Sequence, residues 1–160
     1  MSAIGVGSGR TAGTGDRARA TCPIATSLDI FGDRWTLVVV RDMLVGKRRF
    51  GEFLTSRERI ATNVLADRLA LLERAGIARK RAYQQNPPRF AYELTEKGRG
   101  LLPTLQALCR WAGAHLSGVM EPPMGFMDLT ESSVATAAPP PRTKAPAARR
   151  RLTSKRVTPQ

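Results

Sequence analysis

Leu65, Leu69 and Leu72 recur at i, i+4 and i+7 just before Gly76, and this spacing constrains the fold more tightly than any other stretch of the chain. At about 100° per residue the three leucines share one face of a helix. Asn63, Asp67, Ala70 and Arg74 then share the opposite face. Such a helix buries one side and offers the other, short and polar, for close approach to a partner. The spacing predicts a helix starting near Ala61 and stopping at Gly76, where glycine tolerates the left-handed conformation that closes helices.

Upstream, Pro23 suits the first helical position with Thr21 as a cap, and Ile24, Leu28 and Phe31 form a stripe. Gly32-Asp33 breaks that helix. Asp33 caps a second one predicted over Arg34 to Val45, whose Trp35, Val38, Val39 and Met43 supply core volume. Gly46 ends it, Lys47-Arg48-Arg49 turns, and Phe50, Phe53 and Leu54 suggest a third short helix over Arg49 to Ser56.

Downstream, Ile77 to Tyr83 and Phe90 to Leu94 read as strands; in the second, Phe90, Tyr92 and Leu94 face one way and Ala91 and Glu93 the other. Gln84 to Arg89 joins them, stiffened by Pro87 and Pro88, above a stem of Arg79, Lys80 and Arg81. Thr95-Glu96 opens a last helix to about Leu116, with Leu101, Leu105, Leu108 and Ala112 in a stripe. Pro103 bends it or marks where its straight part starts. The predicted fold is mainly α with a small β-hairpin: a winged helix-turn-helix whose N- and C-terminal helices serve dimerisation.

Composition divides the 160 residues into a flexible N-terminal arm (1–21), a folded domain (22–120) and a disordered, Pro/Ala-rich basic tail (121–160). The net charge is +13; residues 22–116 carry +7 of it, and 132–160 carry seven cations and no acid. This excess suits a polyanionic partner through counterion release, without separating DNA, RNA and acidic membrane surfaces.

Two cysteines are too few for a disulfide scaffold. The run Leu37 to Val40 is closed by Arg41 and Asp42, too short to cross a bilayer, and the N-terminus has no hydrophobic signal core. The expected location is the bacterial cytoplasm, at the nucleoid, with no membrane partner. His115 is the only histidine, with no Cys or His cluster around it. That argues against a metal site and a nucleophilic triad. No glycine loop with Lys-Ser or Lys-Thr cradles phosphate. No cofactor and no enzymatic activity are expected.

The residues resemble one family in order along the chain. Cys22-Pro23, Gly32-Asp33-Arg34-Trp35-Thr36-Leu37 and Arg48-Arg49-Phe50-Gly51-Glu52-Phe53 are similar to the opening half of HxlR-type transcriptional regulators. The likeness continues through Ile60 to Leu69, Leu72 to Ile77, Pro87 to Thr95 and Gly98 to Pro103. It implies a homodimeric bacterial regulator of double-stranded DNA, acting as a repressor on a pseudo-palindromic operator. The first and last helices would pair the protomers, the helix from Ala61 would enter the major groove, and the hairpin would flank it. Members often have Ser-Pro where this chain has Ala61-Thr62, so the helix start is capped differently, which bears on the operator sequence.

On that reading Ala61, Thr62, Asn63, Ala66, Asp67 and Arg68 form the DNA-reading set. Asn63 pairs with adenine or contacts phosphate, or with Thr62 merely caps the helix and is otherwise exposed to solvent. Asp67 accepts from cytosine or orients a neighbouring arginine; Arg68 is a DNA ligand or an ion-pair partner. Lys47, Arg48, Arg49, Arg57 and Arg59 suit phosphate contacts, as does Arg81 on the stem, or they are solvated loop charges. Arg89 at the hairpin tip reaches the minor groove or is a rim charge. Ile24, Leu28, Leu105, Leu108 and Trp111 are the expected dimer contacts.

Cys22 precedes a helix start, where the dipole favours a thiolate. Some relatives use a cysteine there to sense oxidants or electrophiles; the plainer reading is an inert, buried thiol at the dimer seam. Control by an oxidant or a small-molecule effector follows from the first reading. Cys109 belongs to the core. Two other functions compete. One is a nonspecific nucleoid- or RNA-binding protein using the tail, against which stands the lack of exposed stacking aromatics. The other is an oxidoreductase at Cys22, which lacks a resolving cysteine.

Overall fold

The computed structural model describes residues 22–136. The expected arm, and every cation expected in the tail, lie outside them. The order is α1 (Pro23–Phe31), α2 (Thr36–Leu44), α3 (Phe50–Leu54), α4 (Thr62–Arg74), β1 (Ala78–Gln85), β2 (Pro88–Leu94), α5 (Glu96–Arg99) and α6 (Leu102–His115). A 3-10 turn (Phe126–Asp128) and α7 (Glu131–Thr136) follow.

Local chemistry sets most of these boundaries. The Asp33 carboxylate accepts from the backbone N–H of Trp35 (2.7 Å) and Thr36 (3.0 Å) and from the Thr36 hydroxyl, fixing the start of α2. Glu52 does the same for α3, accepting from the N–H of Arg48 (2.7 Å) and Arg49 (2.9 Å). Gly76 closes α4 at φ +67°. Pro103 does not kink a continuous last helix. It lies in the first turn of α6, after the separate α5.

The core gathers Val39, Val40 and Met43 of α2, Phe53 of α3, Leu65, Leu69 and Leu72 of α4, Ile77 and Leu94 at the hairpin base, and Leu102 and Leu105 of α6. The periodic leucines of α4 are therefore all interior. Trp35 and Val38, expected beside them, are half-buried.

The hairpin pairs antiparallel, Ala78 opposite Leu94 and Arg81 opposite Ala91, with an irregularity between Ala82 and Gln84. A third segment joins it: Arg49 bridges Ala91, and the Tyr92 N–H donates to the Arg48 carbonyl at 2.8 Å. Alternation along β2 does not carry through to burial. Ala91, Glu93 and Leu94 are all buried at the enclosed base, while Phe90 nearer the tip is exposed. At that base a Cβ on Gly98 would lie 2.2 Å from the Ile77 carbonyl oxygen, so only glycine lets α5 sit flush against the strand.

The expected disordered tail does not begin at residue 121. Phe126 is fully buried and Val134 nearly so, both in the main core. The Gln106 side chain donates to the carbonyls of Phe126 (3.1 Å), Met127 (3.2 Å) and Leu129 (3.0 Å). One aromatic anchor and one amide hold a segment whose composition lacks any apolar period.

Candidate nucleic-acid interface

On α4, burial of Leu65, Leu69 and Leu72 turns Ala61, Thr62, Asn63, Ala66 and Asp67 outward, and all five are exposed. Ala61 occupies the N-cap position and contributes no side-chain hydrogen bond. Thr62 and Asn63 make none either among the described residues, so the capping alternative for them does not hold and their polar atoms are open to solvent. Asp67 orients no arginine among the described residues. Arg68 takes up the ion-pair alternative. Its Nη1 lies 3.1 Å from Asp33 Oδ2, tying α4 to the cap of α2. Burial raises the Asp33 pKa, but the Thr36 hydroxyl, the two N–H donors and Arg68 outweigh it and hold the carboxyl below its ordinary value.

The loop cations divide into committed and free. Lys47 points inward: its Nζ lies 2.9 Å from Asp42 Oδ2 and 2.6 Å from Ser56 Oγ. It therefore cannot clamp phosphate without abandoning a buried carboxylate, and the expected contact is corrected. Asp42, 2% exposed, also receives the Ser56 hydroxyl and the Arg41 guanidinium at 2.7 Å. Arg41 reaches on to Glu58 through two bonds of 2.5 and 3.1 Å. Arg41 lowers the Glu58 pKa against a smaller opposing effect of burial; burial of Arg41 itself is outweighed by Glu58 and Asp42, which raise its pKa.

Arg48 is half-buried, Arg57 and Arg59 are exposed on either side of half-buried Glu58 in one loop, and none of the three has a side-chain partner among the described residues. Arg49 is exposed, with its guanidinium 4.8 Å from the Tyr83 ring centroid and 4.0 Å from Glu52. On the wing, Glu93 pairs with Arg79 at 3.0 Å and Arg81 at 3.7 Å, so Arg81 is partly neutralised. Arg89 is exposed at the tip, with no partner among the described residues.

Sequence reasoning missed the Arg41–Asp42–Lys47–Ser56–Glu58 network. The signal was an aspartate at position 42, between buried positions 40 and 43, since carboxylates are almost never buried unpaired.

The remaining candidates lie away from this face. Ile24 (73% exposed), Leu28 (56%), Leu108 (47%) and Trp111 (56%) are open apolar groups on α1 and α6. Leu105 is not among them. At 6% exposed it packs into the protomer's own core, so it is removed from the expected dimer contacts. Cys22 is exposed at the N-cap position of α1, and Cys109 is half-buried against the core. No cluster of metal-ligating side chains occurs among the described residues, and no helix among them is long and apolar enough to cross a membrane.

A helix pair with a short turn, an outward polar helix and a flanking hairpin together define a winged helix-turn-helix DNA-binding protein. Residues 30–120 match the HxlR-like helix-turn-helix family, and the chain belongs to it. It is 38% identical over 90 residues to the HTH-type transcriptional regulator YdeP of Bacillus subtilis, covering 56% of this chain and 70% of that one. Its fold is similar to that of the transcription factor PA1607, with a TM-score of 0.57 at 31% identity over 83% of this chain and 89% of the other. It is also similar to the oxidised form of the redox regulator HypR, with a TM-score of 0.54 at 35% identity over 59% of this chain and 97% of the other. YdeP and PA1607 carry transcription-regulator names, and DNA-binding regulation of transcription is the class of function that the family gives this chain.

Proposed function

We propose that the protein is a sequence-specific repressor that binds a pseudo-palindromic operator as a homodimer and has no enzymatic activity. One observation carries the reading: on α4, unpartnered Thr62, Asn63 and Asp67 stand opposite three buried leucines. Free donors and acceptors on a rigid helix suit base edges in a major groove. Arg57 and Arg59 before the helix, and Arg89 at the wing tip, suit the phosphates on either side. Homodimerisation through α1 and α6 is supported by exposed Ile24, Leu28, Leu108 and Trp111.

Asn63→Ala tests the base-reading role. Affinity for the operator falls by about 1–3 kcal/mol, while affinity for random duplex hardly changes. An equal loss on both would reject base reading by Asn63 and favour a nonspecific nucleic-acid coat.

Effector control belongs to the same proposal. Cys22 is exposed, and HypR is described as a redox regulator. When the Cys22 thiol forms a disulfide with a second thiol, the two electrons and two protons passing to the oxidant, the operator is released. Diamide treatment therefore weakens operator binding by the wild type and leaves Cys22→Ser unaffected. Equal release of both would place the control elsewhere, in a small-molecule effector or another group.

A further inference from the structure

Arg59 has a backbone that its side chain makes costly. Its φ is +53°, the only positive value at a non-glycine residue among the described positions. That left-handed conformation crowds any Cβ and is the natural place for glycine. Its neighbours enforce it. The Arg59 N–H donates to the Ser56 carbonyl at 3.0 Å, and Ser56 is buried with its hydroxyl on Asp42 and on the Phe53 carbonyl. Glu58 is held by both bonds from Arg41, and Ile60 is buried in the core. With residues on both sides fixed, residue 59 takes the strained conformation whatever its side chain.

The guanidinium gains nothing within the protomer in exchange, since it is exposed and unpaired among the described residues. It stands two residues before Ala61, the N-cap of α4. A glycine would relieve the strain, yet the position holds a long cation at the mouth of the recognition helix. We infer that Arg59 is a phosphate contact of the DNA complex, kept at a cost to the stability of the free protein, so that stability and DNA affinity oppose each other at this one position. The inference rests on the DNA-binding reading above and assigns one of its backbone contacts to a particular residue.

The test compares Arg59→Gly with Arg59→Ala in the full-length protein. Both remove the guanidinium; only glycine removes the strain. Affinity is expected to fall several-fold, equally in the two variants and equally on operator and random duplex. The slope of log affinity against log salt should become shallower by about 0.9 for each phosphate no longer neutralised, in each protomer bound. The thermal midpoint should separate the variants, glycine lying above alanine by about 4 °C.

If both variants bind all DNA like the wild type with an unchanged salt slope, the assignment is overturned and Arg59 serves only the turn. If operator affinity is lost while random-duplex affinity is kept, Arg59 reads bases and the assignment is again overturned. A glycine variant no more stable than alanine would refute the opposition between stability and affinity. Failure of the DNA-binding reading itself would look different, because the wild type would then show no salt-dependent affinity for any duplex.

Discussion

The outward face of α4 and the exposed apolar residues of α1 and α6 are both open to solvent, but they are open in different ways. Thr62, Asn63 and Asp67 expose polar atoms that water satisfies, so the first face is stable alone. A partner gains there only by replacing each hydrogen bond, and a mismatched partner strands buried polar groups. Ile24, Leu28, Leu108 and Trp111 expose apolar surface, and any close-fitting cover stabilises it by roughly 25 cal/mol per Å² removed from water. In the proposed complex the first face therefore discriminates and the second assembles. The Arg41–Asp42–Lys47–Ser56–Glu58 network pins the turn ahead of α4, and so fixes where the first of these faces starts.

Removing the hub of that network should have the largest effect. Asp42→Ala leaves Lys47 and Arg41 facing a buried site without their shared carboxylate, and should cost about 3 kcal/mol in urea unfolding. A loss under about 1 kcal/mol would mean that the turn ahead of α4 is held without it.

Next in size is the apolar face. Leu28→Asp combined with Trp111→Asp should shift the light-scattering mass to the 17.4 kDa monomer. It should also weaken operator binding by about 100-fold, or ~2.7 kcal/mol, while monomer far-UV dichroism is preserved. A variant that remains dimeric would move assembly to another surface and break the comparison.

A smaller, pH-dependent effect separates the network from both faces. The Glu58 carboxyl titrates below its ordinary value because Arg41 stabilises the charged form. A depressed carboxylate contributes stability that is complete above its unfolded pKa and disappears as pH falls through the folded one. Wild-type stability should thus decline below the ordinary glutamate range, and Glu58→Gln should be less stable at neutral pH and decline less steeply on acidification. Parallel profiles would mean that Glu58 contributes nothing to folding.

The smallest effect concerns residues 137–160. We propose that their seven cations follow phosphates without reading sequence. A chain ending at Thr136 should bind operator and random duplex more weakly by the same factor. Its salt slope should also be shallower, by about 0.9 per phosphate that the tail had neutralised. A changed operator preference would give the tail a reading role; no change at any salt would assign it a different partner.

What was legible in the sequence follows from the range of each interaction. The α4 face could be read because its leucines repeat within a few residues and Gly76 marks its end. Asp33 caps through donors two and three residues away, and its role was equally local. Arg68 finds Asp33 across 35 positions, Arg41 finds Glu58 across 17, and neither pairing leaves a period in the chain. For that reason Lys47 read as a phosphate contact from sequence and Arg68 stood open between a DNA ligand and an ion-pair partner, while the structure pairs both with carboxylates of the same chain. Leu105 was misassigned for the complementary reason. A stripe records which residues share a side, but not whether that side meets the same chain or another.

Burial of Phe126 has a consequence for how the chain breaks down. The family match stops at residue 120, yet the core continues through Phe126 to Val134. A protease cutting between residues 120 and 126 would leave a vacant aromatic site and the Gln106 amide without its three acceptors, so the remaining fragment would itself become digestible. Under mild digestion the surviving piece should therefore retain residues through Val134, and fragments ending at the family boundary should appear only in passing, on the way to peptides.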